Sequence, residues 1–240
     1  MKTIVIIQAR MGSSRLPGKI LMPLGDHINL LYVTSRCKRI AGVDEVIVAT
    51  STLPGDDAVE QWCRDQGVVC FRGSEDDVLS RFIGVAESFQ PDYVLRVTAD
   101  CPFVDIEMAE QILKLAKDNK VDIVDLGAGL PRGLAVEVVS YQALKQMDIH
   151  GKELRHREHV TYYAYEYKEQ FTRVSYQPPA DRLYPQLRIT LDTEEDYALI
   201  SHVANYFNDL YVASEEVIRY LLEHPDIAAL NAHIEQKPVV

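Results

Sequence analysis

The chain has 240 residues, of which 47% are hydrophobic and 25% are charged, which is ordinary for a globular protein. Its formal net charge of −11 disfavours non-specific binding to nucleic acid, although a local basic loop could still hold a small anion. No segment reaches the ~20 apolar residues that a membrane-spanning helix needs, and the four cysteines form no C-x-x-C pair. We therefore expect a cytoplasmic protein with reduced thiols and with neither a nucleic-acid nor a membrane partner.

The first half of the chain alternates short aliphatic segments with helical ones. TIVIIQ (3–8) predicts a strand buried on both faces of a sheet, and further strands are predicted at 45–51, 68–71, 92–100 and 121–126. Helices are predicted between them, at 28–40, 56–67, 74–89 and 105–119. This alternation predicts an α/β fold with a mostly parallel central sheet flanked by helices, whose ligands lie at the carboxyl ends of the strands.

After about residue 126 this rhythm changes. The segment 127–140 contains glycines and then resembles a strand, while 155–167 is basic, tyrosine-rich and helical in pattern. The segment 171–192 predicts a strand, a proline-bearing loop and a second strand. Helices are predicted at 194–207 and 214–223. Because no linker is evident, we predict a single domain, 1–240.

The loop after the first strand, QARMGSSRLPGK (8–19), is the strongest local signal. Glycines let backbone amides approach an oxyanion, arginines offer forked donors and lysine offers a point charge, so the loop suits a polyphosphate. It is not a Walker A loop, because five residues separate Gly12 from Gly18 and Ile20 follows Lys19. No G-x-G-x-x-G motif is present either, and the simpler alternative is a solvated basic turn.

Two aspartates end similar six-residue motifs in distant segments, LRVTAD (95–100) and LRITLD (187–192). Alternate residues of a strand share a face, so Thr98 lies with Asp100. Mg²⁺ binds through one or two carboxylates together with phosphates and water, and two strand-end aspartates fit that need. Each aspartate could instead cap the turn or helix that follows it. With the basic loop upstream, we favour a Mg²⁺ site at Asp100 and Asp192.

The segment IIQARMGSSRLPGKIL resembles the N-terminal signature of the cytidylyltransferase family that makes CMP-activated sugars. That family includes the acylneuraminate and 3-deoxy-manno-octulosonate enzymes, and the resemblance is closest to its spore-coat polysaccharide biosynthesis branch. Further matching motifs, which extend over about 4–200, are VIVATS, FRGSEDDVLSR, VTADCPFVD, REHVT and RITLDTEED. The resemblance implies a Rossmann-like, GT-A-like nucleotidyltransferase fold. It also implies transfer of CMP from CTP to a sugar or sugar-acid acceptor, with release of pyrophosphate, in surface or spore-coat polysaccharide biosynthesis.

Roles for individual residues follow from the loop chemistry and the resemblance together. Arg10, Arg15 and Lys19 would be catalytic, because they would neutralise the triphosphate and the departing pyrophosphate. Asp100 and Asp192 would hold Mg²⁺. The nucleotide-binding set would be Ala9, Arg10, Gly12, Ser13, Ser14, Lys19, Arg72, Ser74 and Thr98. Arg72 could equally pair with a neighbouring acid, Asp76 or Asp77, at the surface.

The acceptor would bind at LRHREHVTYY (154–163), through Arg155, Arg157, Glu158 and His159. The alternative for this segment is an amphipathic helix with a solvated basic face. We therefore divide the domain into a nucleotide-binding half, 1–126, and a half for acceptor binding and dimerisation, 127–240. The resembled family is commonly dimeric, so a homodimer is compatible with the resemblance.

Other functions stay open from the sequence alone. A glycosyltransferase that consumes a nucleotide sugar is disfavoured, because no two aspartates lie two positions apart and the D-x-D signal is absent. A non-catalytic nucleotide-binding protein is disfavoured because the loop cations and both aspartates are present. Cytidylyl transfer to a non-sugar acceptor such as a phosphonate fits the motifs equally well. Pyrophosphate release from CTP separates the first two of these classes from a cytidylyltransferase.

Overall fold

The computed structural model describes residues 1–235 and contains one large sheet and one small hairpin. The strands are β1 (Thr3–Gln8), β2 (Pro23–Leu24), β3 (His27–Ile28), β4 (Glu45–Ser51), β5 (Val69–Gly73), β6 (Tyr93–Thr98), β7 (Ile123–Leu126), β8 (Glu137–Ser140) and β9 (Arg173–Tyr176). The large sheet has the order β5-β4-β1-β6-β8-β7-β9, and β2 pairs with β3. Only β8 runs antiparallel to its neighbours in the large sheet as described. The mostly parallel sheet is thus confirmed, and strands from both halves of the chain join it.

Helices cover both faces of the large sheet. They are α1 (Asn29–Arg39), α2 (Asp57–Asp65), α3 (Val78–Phe89), α4 (Ile106–Asn119), α5 (Tyr141–His150), α6 (Leu154–Glu158), α7 (Tyr162–Glu166), α8 (Glu194–Phe207), α9 (Ser214–Glu223) and α10 (Pro225–Ala228). No helix within residues 1–235 has the length and apolar character needed to cross a membrane.

The aliphatic run of β1 is buried on both faces because helices pack against both. Ile4 and Ile6 belong to a core with residues of α3 and α5. Val5 and Ile7 belong to a second core with residues of α1, α2, α4, α8 and α9. A central parallel strand therefore needs apolar side chains at every position, and the carboxyl end of β1 opens onto the basic loop.

Several predicted elements have the observed bounds, and others differ for local reasons. β1, β4, α8 and α9 coincide with their predictions. Helix α3 begins at Val78, since Asp77 caps it, whereas Ser74 forms the turn before it. The predicted helix at 155–167 is two short helices, broken where Val160 adopts a φ of 24°. Helix α5 had not been predicted.

The predicted strand LRITLD is wrong as a strand. It is an extended segment with one isolated bridge, between Arg132 and Arg188. Its backbone instead reaches the end of the sheet, because the amide of Leu191 donates to the carbonyl of Asp100 at 2.7 Å. That contact brings the two aspartate segments together at the carboxyl edge of the sheet.

Candidate active site

The basic loop is anchored to the sheet at both of its ends. The amide of Ala9 donates to the carbonyl of Ala49 at 3.1 Å, which extends the β1–β4 pairing by one rung. The amide of Met11 donates to Oδ1 of Asp56 at 2.7 Å, and Asp56 is buried. Gly18 closes the loop: its amide donates to the carbonyl of Met11 at 3.0 Å, and its φ of 74° favours glycine. The loop is therefore held by backbone contacts and leaves its side chains for other partners.

Four backbone amides of this loop are open. Within the described part of the chain, the amides of Arg10, Gly12, Ser14 and Arg15 donate to no acceptor. The Ser13 hydroxyl accepts from the amide of Leu16 at 3.3 Å and so shapes the turn. Amides without an internal acceptor on a tight turn form a concave site for an anion, which is what a phosphate group requires.

Lys19 lies between the two aspartates. Its Nζ donates to Oδ2 of Asp100 at 2.9 Å and to Oδ1 of Asp192 at 3.0 Å, so both carboxylates face one point. Burial by itself lowers the pKa of Lys19, but the two carboxylates outweigh it and raise that pKa. Burial likewise raises the pKa of Asp100, but Lys19 and hydrogen bonds from Thr98 and Cys101 hold it below its ordinary value. Lys19 and Asp100 are therefore both charged at neutral pH.

Neither aspartate is used as a helix cap. Helix α8 is capped by Thr193, which forms a capping box with Asp196. Helix α4, which follows the Asp100 turn, is capped by Asp105. Asp192 instead bonds Arg15 as well as Lys19. The capping alternative for both aspartates is thereby removed, and their carboxylates face the cavity.

A buried clamp holds the Asp192 segment in place. The Asp196 carboxylate is fully buried and accepts from Nε and Nη2 of Arg188 at 2.8 Å each. The same carboxylate accepts from the amides of Asp192 and Thr193 at 3.0 and 3.1 Å. On the other side of the site, Asn29 Nδ2 donates to the carbonyl of Ala99 at 2.7 Å. Sequence reasoning missed these supporting residues, although the T-x-x-D spacing of the capping box was a usable signal.

One cavity of about 300 Å³ brings most of the predicted residues together. The predicted residues among its lining are Ala9, Arg10, Ser13, Ser14, Arg15, Lys19, Thr98, Asp100, Glu158 and Asp192. His159 lines a smaller cavity beside it. Residues from both predicted halves of the chain therefore meet at one site, and Asp192 of the second half faces the nucleotide loop of the first.

The structure does not bring Arg72 to this cavity. Its Nη1 bonds Asp57 and Glu60 at 2.7 and 2.8 Å, and its Nε donates to the carbonyl of Ser51 at 2.8 Å. These contacts replace the expected contact with the nucleotide and also the alternative pairing with Asp76 or Asp77. Both sequence interpretations of Arg72 are corrected: it joins the end of β5 to α2.

Ser74 and Gly12 also lie outside the cavity lining, and they shape neighbouring turns. Ser74 Oγ accepts from the amide of Asp77 at 3.1 Å, ahead of α3. A Cβ on Gly12 would lie 3.4 Å from Oε1 of Glu75, which in turn bonds Arg10 at 2.7 Å. The amide of Gly12 has no acceptor among the described residues, and its role in nucleotide binding stays a prediction.

Two of the predicted acceptor arginines are engaged elsewhere. Arg157 makes a forked pair with Asp77 at 2.9 and 2.8 Å and also bonds Asp148 at 2.8 Å, which ties α6 to α3 and α5. Arg155 bonds Glu153 and Glu166 at 2.8 and 2.7 Å. These ion pairs hold both guanidinium groups away from the two cavities, contrary to the expectation that they face an acceptor. Glu158 and His159 remain as candidates for acceptor binding.

An amide-lined loop, three cations and two facing carboxylates at the carboxyl edge of a mostly parallel sheet define a nucleotidyltransferase site. Comparison with known proteins gives the particular family. The chain belongs to the cytidylyltransferase family, whose model matches residues 4–232. The sequence resemblance and the predicted fold are thereby confirmed, and the protein is a CTP-dependent nucleotidyltransferase.

Relatives match the chain at two levels of coverage. The spore coat polysaccharide biosynthesis protein SpsF of Bacillus subtilis is 36% identical over 93% of this chain and 95% of its own length. An uncharacterized protein of Methanocaldococcus jannaschii is 35% identical over 99% of this chain and 97% of its own length. A 3-deoxy-manno-octulosonate cytidylyltransferase of Acinetobacter baumannii is 32% identical over 48% of this chain and 46% of its own length.

Solved structures show the same fold. A cytidylyltransferase from Leptospira borgpetersenii superimposes with a TM-score of 0.89 at 30% identity, covering 99% of this chain and 100% of that one. A CMP:2-keto-3-deoxy-manno-octonic acid synthetase complexed with CTP has a TM-score of 0.66 at 16% identity, covering 86% and 100%. A Mycobacterium tuberculosis protein described in complex with manganese has a TM-score of 0.57 at 15% identity, covering 83% and 97%.

Proposed function

We propose that this cytidylyltransferase transfers CMP from CTP to a sugar or sugar-acid acceptor, and that Mg²⁺ is its metal. The observation that carries the proposal is the position of Lys19 between Asp100 and Asp192, beside the open amides of the basic loop. The printed functions of relatives in polysaccharide biosynthesis and in 3-deoxy-manno-octulosonate activation support the acceptor class.

The residues of the cavity divide into an anion-binding and a metal-binding side. Arg10, Arg15 and Lys19, with the open amides, would bind the triphosphate and the departing pyrophosphate. Asp100 and Asp192 fit a Mg²⁺ ion, which takes one or two carboxylates and completes its shell with phosphate and water. Mg²⁺ held there would supply Lewis acidity and a template for the phosphates. Within residues 1–235 no cluster of three or more metal-binding side chains occurs, so a metal held by protein ligands alone is disfavoured.

The acceptor side would be the segment after α6. Glu158 lines the main cavity, and its side chain has no hydrogen-bond or ion-pair partner among the described residues. Burial lowers the pKa of His159, so its ring is neutral at pH 7 and can donate or accept. Glu137 fixes this segment, because it accepts from Thr161 Oγ1 at 2.8 Å and from Arg96 Nη1 at 2.5 Å. A carboxylate and a neutral imidazole suit hydroxyl groups of a sugar.

Pyrophosphate release tests the proposal. We expect release from CTP, and not from UTP, ATP or GTP, once a suitable acceptor is supplied from a panel of keto-deoxy sugar acids, neutral sugars and phosphonates. Asp100→Asn should abolish release, while Asp118→Asn, an exposed aspartate of α4, should leave it unchanged. Release only with phosphonates would replace the sugar acceptor. Release equally from UTP would contradict cytidylyl transfer.

A further inference from the structure

Lys19 fills the point at which Asp100 and Asp192 face each other. Its Nζ lies 2.9 Å from Oδ2 of Asp100 and 3.0 Å from Oδ1 of Asp192. Mg²⁺ takes carboxylate oxygens at about 2.0–2.1 Å, so an ion bonded to these two oxygens would need the place that Nζ fills. The lysine ammonium and a metal ion therefore exclude each other between the two carboxylates.

The charges around the two aspartates are already balanced. Asp192 bonds Arg15 as well as Lys19, and Nη2 of Arg188 lies 3.6 Å from its Oδ2. The cluster consists of three cations and three carboxylates, which are Lys19, Arg15, Arg188, Asp100, Asp192 and Asp196. A divalent cation gives up its hydration water reluctantly, and this cluster has no net negative charge to offset that loss.

The backbone of Lys19 is fixed, while its side chain can turn. Its amide donates to the carbonyl of Leu16, and its carbonyl accepts from the amide of Met22, at 3.3 Å each. Nδ2 of the fully buried Asn29 lies 3.5 Å from the same carbonyl. The Lys19 side chain lines the main cavity, and its flexible four-carbon stem lets Nζ move toward an anion in that cavity without a change in the loop.

A triphosphate in the main cavity reverses this balance. Its phosphates bring negative charge and acceptor oxygens to the open amides of the loop and to the Lys19 ammonium. Mg²⁺ is held by one or two carboxylates only when phosphate oxygens and water complete its shell. As its ammonium turns from carboxylate to phosphate, Lys19 therefore frees both aspartates at the moment when phosphate oxygens are at hand.

We propose that Lys19 keeps a divalent metal ion off Asp100 and Asp192 until the triphosphate of a nucleotide draws its ammonium away. Lys19 thereby makes metal binding conditional on nucleotide binding. The inference rests on the proposed use of CTP with Mg²⁺, and it adds a second role to the neutralisation of phosphate. A lysine that only neutralised phosphate would leave the two carboxylates open to a metal ion at all times.

Mn²⁺ is the probe that tests this role, because it raises the relaxation rate of water protons when a slowly tumbling protein holds it. Wild type should show this rise with Mn²⁺ and CTP together, above the rate of Mn²⁺ and CTP without protein, and not with Mn²⁺ alone. Lys19→Met should show it with Mn²⁺ alone. Its affinity for Mn²⁺ should exceed that of wild type by at least about 30-fold, because a unit charge roughly 4 Å from a divalent ion is worth that factor even in water. Lys19→Gln, which keeps a polar end in place of the ammonium, should show the same gain.

Two controls locate the gained site. Adding Asp100→Asn to Lys19→Met should remove the gain, because the ion then loses one of its two carboxylates. Lys114→Met is the matched control: it removes an exposed lysine that also pairs with an aspartate, Asp118, and it should leave Mn²⁺ binding as in wild type.

Three results would overturn the assignment. Wild type could bind Mn²⁺ alone as tightly as Lys19→Met does, so that Lys19 excludes nothing. Lys19→Met and Lys19→Gln could both lack binding of Mn²⁺ alone, so that the ammonium is not what keeps the metal away. The gain could survive Asp100→Asn, so that the ion lies elsewhere. Failure of the proposed function gives a different result, because wild type would then show no rise even with Mn²⁺ and CTP together.

Discussion

Asp196 offers the sharpest test of how the site is held together. Its buried carboxylate accepts from Nε and Nη2 of Arg188, from Nδ2 of Asn231 and from the amides of Asp192 and Thr193, at 2.8 to 3.1 Å. Asp196→Asn keeps the shape but replaces one acceptor oxygen with an amino group that faces these donors. The buried Arg188 guanidinium would then lose its forked carboxylate partner.

The expected loss of folding stability in Asp196→Asn is large. Removing one partner of a buried ion pair costs about 3–5 kcal/mol, which is a substantial fraction of the ~5–15 kcal/mol that stabilises a typical domain. At ~2–4 °C per kcal/mol for a chain of this size, the melting temperature should fall by about 6–20 °C. Because the amide of Asp192 loses its acceptor, CTP binding with Mg²⁺ should weaken as well.

Thermal melting followed by circular dichroism, with calorimetric CTP binding below the transition, measures both effects. Glu194→Gln, an exposed position two residues earlier, is the matched control and should melt like the wild type. Asp192→Asn should lose CTP binding with a smaller change in melting temperature, since it leaves the Arg188–Asp196 pair intact. If Asp196→Asn melts within about 2 °C of wild type and binds CTP normally, Asp196 does not hold the Asp192 segment in place.

Four further predictions follow from the site. Lys19→Met should weaken CTP binding by about 10- to 100-fold, the range for hydrogen bonds to charged groups, and unchanged calorimetric affinity would remove Lys19 from the phosphate site. Burial raises the pKa of Glu137, but Arg96 and the hydrogen bonds from Thr161 and Tyr165 hold it below its ordinary 4.5. The stability from its charge is therefore complete above about pH 4.5 and is lost as pH falls through the folded-state pKa, so urea unfolding of wild type and Glu137→Gln should converge in acid. Burial raises the pKa of the Cys101 thiol to about 12, so iodoacetamide at pH 8 should label it slowly by mass spectrometry, and rapid labelling would contradict this. The homodimer stays a prediction, and a monomer in sedimentation analysis would contradict it.

Local sequence determined several elements of the fold and most of the polar residues that line the main cavity. The aliphatic run of β1 and the helical pattern of α8 predicted their own bounds, because hydrophobic periodicity acts over a few residues. The basic loop and the aspartates Asp100 and Asp192 were found from residue types at strand ends. Their roles in catalysis stay predictions, while their common cavity is now a structural fact.

Only the tertiary structure decided which basic side chains face the ligand. Arg72 and Arg157 are basic like Lys19, but their ion pairs hold them outside the lining of the main cavity. The partner of Arg157, Asp77, lies 80 positions away in the sequence. A basic side chain can face a ligand only when folding places it on the cavity lining, and the elements that form this lining are brought together only by the tertiary structure.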